Sequence, residues 1–318
     1  MCGQWRLKSS EGSSFDKVYL PLGKLKGITD EAADYLPEVY VWGGEPTLHP
    51  DFAEFISYVK KRGLLCTVNT NGTLLKNLAG KIIDSGVDSL DISLDGPTEI
   101  HDSIRGVPGT YARIMEGLAE LEKKRFGRKP IIKAVITLGK ENLEYVEKLL
   151  TDLESNSVVQ MIIIQLGWFT TKESGRKYTQ QLQEGFGLSA SSWKGFEDNQ
   201  AHERARQTRE LIQRIKKGSY RKPILFFPSL RMDFVEKYYT HHEDPLGRRE
   251  CWAIHHGVHI RPNGDVVVCG DYPDIVVGNV YEKTIKAIWK GEKLMDFRRY
   301  VNEKGLFSIC TRCCGFFS

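Results

Sequence analysis

The sequence predicts an α/β protein with a partial parallel barrel and a small C-terminal α+β module. Between residues 38 and 166, short apolar runs alternate with amphipathic stretches whose apolar residues are three or four apart. This alternation is typical of parallel βα units. After residue 251 a hairpin-like segment and short helical stretches follow. We therefore expect a barrel at 1–166, an insertion or linker at 167–250 that lies over the barrel mouth, and a separate module at 251–318.

Five strands separated by four helices are predicted in the first part. The strands are EVYVW (38–42), LLCTVN (64–69), SLDISL (89–94), PIIKAVITL (130–138) and VVQMIIIQL (158–166). The helices lie in PDFAEFISYVKKRG, LLKNLAGKIIDSG, TYARIMEGLAELEKK and ENLEYVEKLLTDLES. A sixth strand, if there is one, is expected before Met1.

The alternation stops at residue 167. Gly, Ser, Gln and aromatic residues precede a charged helix that ends near Lys222. The aromatic residues of this stretch are expected either to line a pocket or to pack against the second module. They are Trp168, Phe169, Tyr178, Phe186 and Trp193. From residue 257, GVHIRPNGDVVVC predicts a hairpin around the Pro-Asn-Gly-Asp turn.

Composition narrows the class of protein. The 318 residues are 41% hydrophobic and 27% charged, which is enough to bury a core. No apolar run approaches the roughly 18 residues that cross a bilayer, and the N-terminus lacks the zones of a signal peptide. We expect a cytoplasmic protein without a membrane partner. The net charge of +4 is small, so a nucleic-acid partner is not expected. The stretch ERARQTRELIQRIKKGSYRK is interpreted as an exposed helix face, with contact to a phosphate or an acidic partner as the alternative.

Polar residues follow the predicted strands. In parallel barrels the loops after the strands surround one mouth, so these residues are expected to meet there. Each motif alone is also typical of an ordinary turn or surface, but their succession predicts one small-molecule site. The motifs are VWGGEPTLHPDF, NTNGTLL, DISLDGP and HDSIRG. The candidate residues are Gly43, Gly44, Glu45, Pro46, Thr70, Asn71, Ser93, Asp95 and Arg105.

The cysteines indicate metal or iron–sulfur ligation. There are seven, and most lie near the C-terminus, which argues against a disulfide framework. Zinc is the competing metal. Cys66 lies in a strand pattern and is expected in the core. The paired histidines are expected at the surface or in the hairpin. These pairs are His241 with His242 and His255 with His256.

The strand-end motifs together resemble the radical S-adenosylmethionine (radical SAM) superfamily. GGEP at 43–46 is similar to the motif that binds the methionine amino group of SAM. TNGT at 70–73, SLDGP at 93–97 and HDSIRG at 101–106 resemble the following strand ends. VITLGKEN at 135–142 resembles the segment near the adenine. The resemblance implies that Ser93 faces the ribose and that Arg105 binds the methionine carboxylate.

This resemblance implies a (β/α)6 TIM-like barrel of the radical SAM type that lacks its first strand here. The family holds its catalytic 4Fe–4S cluster on a C-x₃-C-x₂-C motif after that strand. Cys2 is interpreted as the third of these ligands, since the first two cysteines are not in the sequence. An incidental terminal thiol is the alternative.

The C-terminal segment resembles the auxiliary-cluster modules of these enzymes, known as SPASM and Twitch. The resemblance implies that Cys251, Cys269, Cys310 and Cys313 hold an auxiliary 4Fe–4S cluster. A single C-x₂-C pair favours the Twitch form, unless a longer SPASM module is cut short. Cys314 is interpreted as a spare thiol, or as an alternative to Cys313.

The implied function is that of a radical SAM oxidoreductase or maturase. Such an enzyme cleaves SAM to a 5′-deoxyadenosyl radical, which abstracts a hydrogen atom from a peptide, a protein side chain or a small molecule. The auxiliary cluster would accept an electron, and a reductase or flavodoxin-type protein would donate one. The alternatives are a non-catalytic iron–sulfur electron-transfer or scaffold protein, and a binding protein for a partner of the basic stretch.

Overall fold

The structure is a computed structural model that describes residues 18–313. It divides into two compact units. The barrel unit comprises residues 21–166 and 214–227, and the second unit comprises 18–20, 167–213 and 228–313. The predicted domain boundaries at 166 and 250 stay a prediction.

The barrel unit contains a six-stranded, all-parallel sheet in the order β1 to β6. The sheet is open in the described residues, and the α/β fold class is confirmed. Its strands are β1 (Glu38–Val41), β2 (Leu65–Thr70), β3 (Ser89–Ser93), β4 (Ile131–Leu138), β5 (Met161–Leu166) and β6 (Ile224–Phe227). Its helices are α1 (Leu22–Ala33), α2 (Phe52–Lys61), α3 (Leu75–Ser85), α4 (Thr98–Arg105), α5 (Thr110–Lys124) and α6 (Val146–Glu154).

The prediction of only five strands from Met1 onward was wrong. β6 pairs in parallel with β5, with Ile162 opposite Ile224. Lys222 fixes the position of this short strand, because its Nζ donates hydrogen bonds to the carbonyl oxygens of Asn156 and, at 2.6 Å, of Val159. The four-residue run ILFF follows a long interruption and has no alternation, so only its pairing with β5 identifies it as a strand.

The two faces of the sheet differ in polarity. Alternate side chains, such as Val68, Leu90 and Ile132, are fully buried in the apolar core. The opposite face carries a charged pair, since Lys133 Nζ lies 3.1 Å from Asp91 Oδ1. The core therefore lies on one side of the sheet, and the other side keeps polar groups.

The second unit contains a three-stranded antiparallel sheet and several short helices. The predicted hairpin is confirmed: β7 (His259–Ile260) pairs with β8 (Asp265–Val267). Gly264 closes its turn, with a φ of +89° that favours glycine. The remaining elements are β9 (Val276–Asn279), α7 (Lys172–Phe186), α9 (Met232–Thr240), α10 (Ala253–His256), α11 (Ile285–Trp289) and α12 (Glu292–Lys304). The charged helix α8 (Ala205–Lys217) spans the boundary between the units at 213 and 214.

The start of the predicted insertion is a regular helix. α7 has 15 residues, and Thr171 caps its N-terminus by accepting from Ser174 N. Its aromatic residues pack within the second unit: Tyr178 meets Phe307 with ring centroids 5.4 Å apart. The packing alternative is therefore the one that the structure supports for Tyr178. No helix in residues 18–313 has the length and apolar character to cross a membrane.

Candidate functional site

The end of β1 leaves open space beside the backbone. Gly43 has a φ of +147°, which side-chain-bearing residues rarely adopt. A Cβ atom on Gly43 or Gly44 would meet no heavy atom within 4 Å. The two glycines thus expose main-chain groups that a small ligand can approach.

The Glu45 carboxylate joins the ends of β1 and β2. One oxygen accepts from Thr47 N at 3.2 Å and from Thr70 Oγ1 at 2.6 Å. The other accepts from Asn71 N at 2.7 Å. Pro46 begins the short 3₁₀ turn Pro46–Leu48 that Glu45 caps. Glu45 therefore positions two strand ends as well as bearing charge.

The turn after β2 requires glycine. Gly72 has a φ of +75°, and a Cβ there would lie 3.0 Å from Ile92 and 3.1 Å from Ile114. Asn71 Oδ1 accepts from Thr73 N at 2.9 Å. The Asn71 side chain is thus used to shape the turn, and its backbone is tied to Glu45.

A buried ion pair lies after β3. Asp95 is fully buried, and Arg105 Nη2 pairs with its Oδ2. The other Asp95 oxygen accepts from Thr137 N at 3.0 Å, which connects the ends of β3 and β4. Arg105 Nε is buried without a hydrogen-bond partner in the described chain. The guanidinium is therefore anchored and keeps donor capacity. Ser93, at the end of β3, is half-buried.

Sequence reasoning gave no role to two residues that hold this region together. Asn142 is fully buried, and its Nδ2 donates to the carbonyls of Asp95 at 2.7 Å and Thr137 at 2.8 Å. His101 Nδ1 accepts from Asp95 N at 3.1 Å, and burial lowers the pKa of His101. Both residues occur in the quoted motifs, but local sequence does not indicate what a buried side chain will contact.

The cysteines of the second unit come from three segments. Cys251 precedes α10, Cys269 follows β8, Cys310 begins the 3₁₀ turn Cys310–Arg312, and Cys313 follows that turn. Burial raises the pKa of Cys310, and Cys269 and Cys251 raise it further. These thiols therefore act on one another electrostatically. Cys2 and Cys314 lie outside the described residues.

The four described C-terminal cysteines suit an iron–sulfur cluster by donor chemistry, since thiolates are its usual ligands. No disulfide joins two of the described cysteines. In residues 18–313, no three His, Cys, Asp or Glu side chains are gathered closely enough to hold a metal ion as they stand. The ligand assignment therefore stays a prediction.

Arg312 fixes the cysteine turn to α9. Its side chain is fully buried and donates to backbone carbonyls at the C-terminal end of α9 and beyond. Its Nη1 donates to Asp244 O at 2.9 Å, and Thr311 Oγ1 donates to His242 O at 2.6 Å. The remaining carbonyl acceptors of Arg312 are Lys237, Tyr238, His241 and Thr311. The turn between Cys310 and Cys313 is thus rigidly placed.

The other predictions for cysteine and histidine have mixed outcomes. Cys66 lies in the core as predicted, and burial raises its pKa to about 12. His241, His255 and His256 are exposed. The surface prediction is wrong for His242, which is 8% exposed. It is buried because its ring packs against Phe169, at a centroid distance of 5.4 Å.

Two family models match the chain. The Radical SAM superfamily model matches residues 1–153, a range that contains every strand-end motif described above. Residues 1–153, just under half of the chain, therefore resemble a radical SAM domain. The model of the SPASM iron–sulfur cluster-binding domain matches residues 251–314, which contain all the C-terminal cysteines. SAM and 4Fe–4S clusters are the cofactors of this combination.

Curated relatives are similar to part of the chain. An AdoMet-dependent heme synthase of Methanosarcina barkeri is 36% identical over 147 residues, which is 43% of this chain and 40% of the relative. A probable GTP 3′,8-cyclase of Metallosphaera sedula is 35% identical over 130 residues, 40% of each chain. A protein of Pyrococcus furiosus that modifies the cofactor of a tungsten-containing aldehyde ferredoxin oxidoreductase is 30% identical over 52% of this chain and 47% of its own. The chain thus spans about half or less of these relatives.

Solved structures share the fold. SuiB of Streptococcus suis has a TM-score of 0.64 and 14% identity, over 94% of this chain and 67% of SuiB. The protein anSMEcpe, solved with AdoMet and a peptide, has a TM-score of 0.56 and 14% identity, over 92% of this chain and 78% of its own. At such identities the likeness concerns the fold alone.

Proposed function

We propose that the protein cleaves SAM reductively and abstracts a hydrogen atom from a peptide or small-molecule substrate. The main support is the hydrogen bonding that joins four consecutive strand ends of the barrel unit in two pairs. Glu45 connects β1 to β2, and Asp95 connects β3 to β4. Pre-positioned polar groups of this kind are what a small-molecule site needs.

The strand ends would each bind one part of SAM. Gly43 and Gly44 offer main-chain groups to the methionine amino group, with Glu45 close behind them. Arg105 offers guanidinium donors to the methionine carboxylate, since its ion pair with Asp95 holds it in place. Ser93 offers its hydroxyl to the ribose. Asn142 and His101 act as positioning residues because both bind the backbone of Asp95.

Two cluster sites complete the proposal. Cys2 would contribute to the radical SAM cluster, and Cys251, Cys269, Cys310 and Cys313 would hold the auxiliary cluster. When bound, these clusters supply one-electron chemistry to SAM and a sink for an electron from the substrate. A reductase or flavodoxin-type donor would supply the electron.

The comparisons support a substrate that is a peptide or a small molecule without choosing between them. One SuiB structure is described as bound to the precursor peptide SuiA, whereas curated relatives are named for heme and GTP chemistry.

The test uses a chain extended upstream of Met1 so that it carries the first two cysteines of the cluster motif as well as Cys2, reconstituted anaerobically with iron and sulfide. SAM affinity is measured by equilibrium binding, and 5′-deoxyadenosine is measured after addition of dithionite. Arg105→Ala should weaken SAM binding by roughly tenfold or more, because a charge-assisted hydrogen bond contributes about 1.5 to 3 kcal/mol. Arg113→Ala is the matched control, since Arg113 is an exposed arginine of α5.

Two outcomes would contradict the proposal. Equal SAM affinities for the two arginine variants would show that Arg105 serves the structure only. A bound cluster without any formation of 5′-deoxyadenosine would favour the alternative of a non-catalytic iron–sulfur protein.

A further inference from the structure

Tyr272 is a buried phenol without a hydrogen-bond partner in the described chain. Its side chain is 3% exposed, and its Oη makes no hydrogen bond to any described group. An unsatisfied buried hydroxyl costs free energy, so native proteins seldom keep one without a reason.

Tyr272 is close in sequence to one of the proposed cluster ligands. It lies three residues after Cys269, in the loop between β8 and β9. Its ring packs against Phe196 and Tyr178, with centroids 5.4 Å and 6.2 Å apart. The neighbouring Tyr178 does have a partner, since its hydroxyl donates to Asp274 at 3.2 Å.

The proposed ligand cysteines also contribute to the electrostatic environment of the phenol. Burial raises the pKa of Tyr272 most, and Cys313, Asp271 and Cys269 raise it further, followed by Cys310. Three of the four proposed ligands therefore act on this one hydroxyl. A phenol hydroxyl can donate one hydrogen bond.

We propose that the Tyr272 hydroxyl donates a hydrogen bond to a sulfur atom of the auxiliary cluster and so raises its reduction potential. This inference rests on the proposed cluster at Cys251, Cys269, Cys310 and Cys313. A donor directed at a cluster sulfur stabilises the reduced, more negative state, and such hydrogen bonds are among the factors that set cluster potentials. The hydroxyl that has no protein partner would thus find one on the cofactor.

The experiment compares Tyr272→Phe with Tyr239→Phe in the reconstituted full chain. Tyr239 is the control because it is likewise a buried tyrosine of the second unit, and the groups that act on its Oη include Arg204 and Thr208 rather than cysteines. Burial raises its pKa to about 12, and no cysteine contributes to that shift. The auxiliary cluster is identified as the EPR signal that disappears in the Cys310→Ala/Cys313→Ala variant. Its potential is measured by redox titration, and exchangeable protons near it by ENDOR spectroscopy after transfer to D₂O.

Tyr272→Phe should shift the reduction equilibrium of the auxiliary cluster toward the oxidised state. We expect a change of up to about tenfold, or about 59 mV for one electron. One exchangeable proton coupling should disappear. Tyr239→Phe should change neither quantity. The cluster-free Tyr272→Phe protein should unfold at the same or higher denaturant concentration, because the substitution removes a hydroxyl that lacks a partner there.

Each of the other possible outcomes of this experiment would contradict one part of the proposal. An unchanged potential and proton coupling, at normal iron and sulfide content, would overturn the role of Tyr272 alone. Equal changes in both variants would indicate a general packing effect and would also overturn it. Absence of this cluster from the unsubstituted protein would overturn the proposed auxiliary site, and the Tyr272 inference with it.

Discussion

At the scale of single residues, His242 is a titratable group that the second unit keeps neutral. Its Nδ1 lies 3.0 Å from Ser174 Oγ, and its Nε2 lies 3.3 Å from the Phe169 carbonyl. Since a carbonyl can only accept, Nε2 carries the proton and Nδ1 accepts from Ser174. Burial, with a smaller contribution from Arg312, lowers the pKa of His242 to about 4.

This depressed pKa predicts loss of stability in mild acid. An unfolded histidine titrates near pH 6.5, so between about pH 6.5 and pH 4 the unfolded state binds a proton that the folded state does not. The contribution is complete above pH 6.5 and is lost as the pH falls toward 4, for a total of about 3 kcal/mol. Urea unfolding at about pH 7.5 and about pH 5 measures it. His242→Gln should flatten this dependence, and equal pH slopes for the two proteins would contradict the explanation.

We expect a large loss of stability when the charge and the hydrogen-bond donors of Arg312 are removed. Arg312→Met leaves several buried carbonyl oxygens without a donor, and each such group costs about 1 to 3 kcal/mol. We expect a loss of at least about 3 kcal/mol in chemical denaturation, together with reduced iron content after reconstitution. Arg299→Met is the control, because Arg299 is exposed and its ion pair with Asp296 is worth at most about 1 kcal/mol. Similar losses for both variants would show that the carbonyl contacts of Arg312 contribute little.

At the scale of elements, α7 packs so closely against the turn Ser192–Phe196 that it requires a glycine. A Cβ on Gly175 would lie 2.1 Å from the Trp193 ring. Gly27, in the middle of α1, would meet no atom within 4 Å. The same substitution should therefore have opposite effects in the two helices.

Gly175→Ala should destabilise the protein by about 1 to 3 kcal/mol, because the buried Trp193 ring must move. Gly27→Ala should stabilise it by up to about 1 kcal/mol, because alanine has the higher helix propensity. Thermal and denaturant unfolding of the two variants measure the difference. A neutral Gly175→Ala would mean that α7 and the Trp193 turn can separate at little cost.

At the scale of the whole molecule, the proposed SAM residues and the proposed auxiliary ligands belong to different units. Every SAM residue lies between Gly43 and Asn142 in the barrel unit, whereas Cys310 and Cys313 belong to the second unit. Replacing both cysteines with alanine should leave SAM binding within about twofold and stop turnover of the true substrate, since only the electron acceptor is lost.

The control for this prediction is circular dichroism, because loss of a cluster can also unfold the segment that holds it. Retained turnover in a properly folded double variant would mean that the auxiliary cluster is structural. Loss of SAM binding in that protein would contradict the independence of the two sites.

The sequence by itself determined the elements whose signals are local. The alternation of apolar runs predicted β1 to β5 within a few residues, and the Pro-Asn-Gly-Asp turn predicted the hairpin of β7 and β8. The strand-end motifs and the cysteine spacing predicted the family. These features succeed because periodicity, turn chemistry and ligand spacing are each contained in a short stretch of chain.

Only the tertiary structure decided the features that depend on distant partners. β6 is a strand because β5 offers it hydrogen bonds, and α7 is ordered by rings such as Phe307 far along the chain. The Asp95–Arg105 pair and the orphaned Tyr272 hydroxyl likewise depend on which groups folding buries together. Burial and pairing between residues remote in sequence leave no periodic pattern, because their energies come from neighbours that only the folded chain supplies.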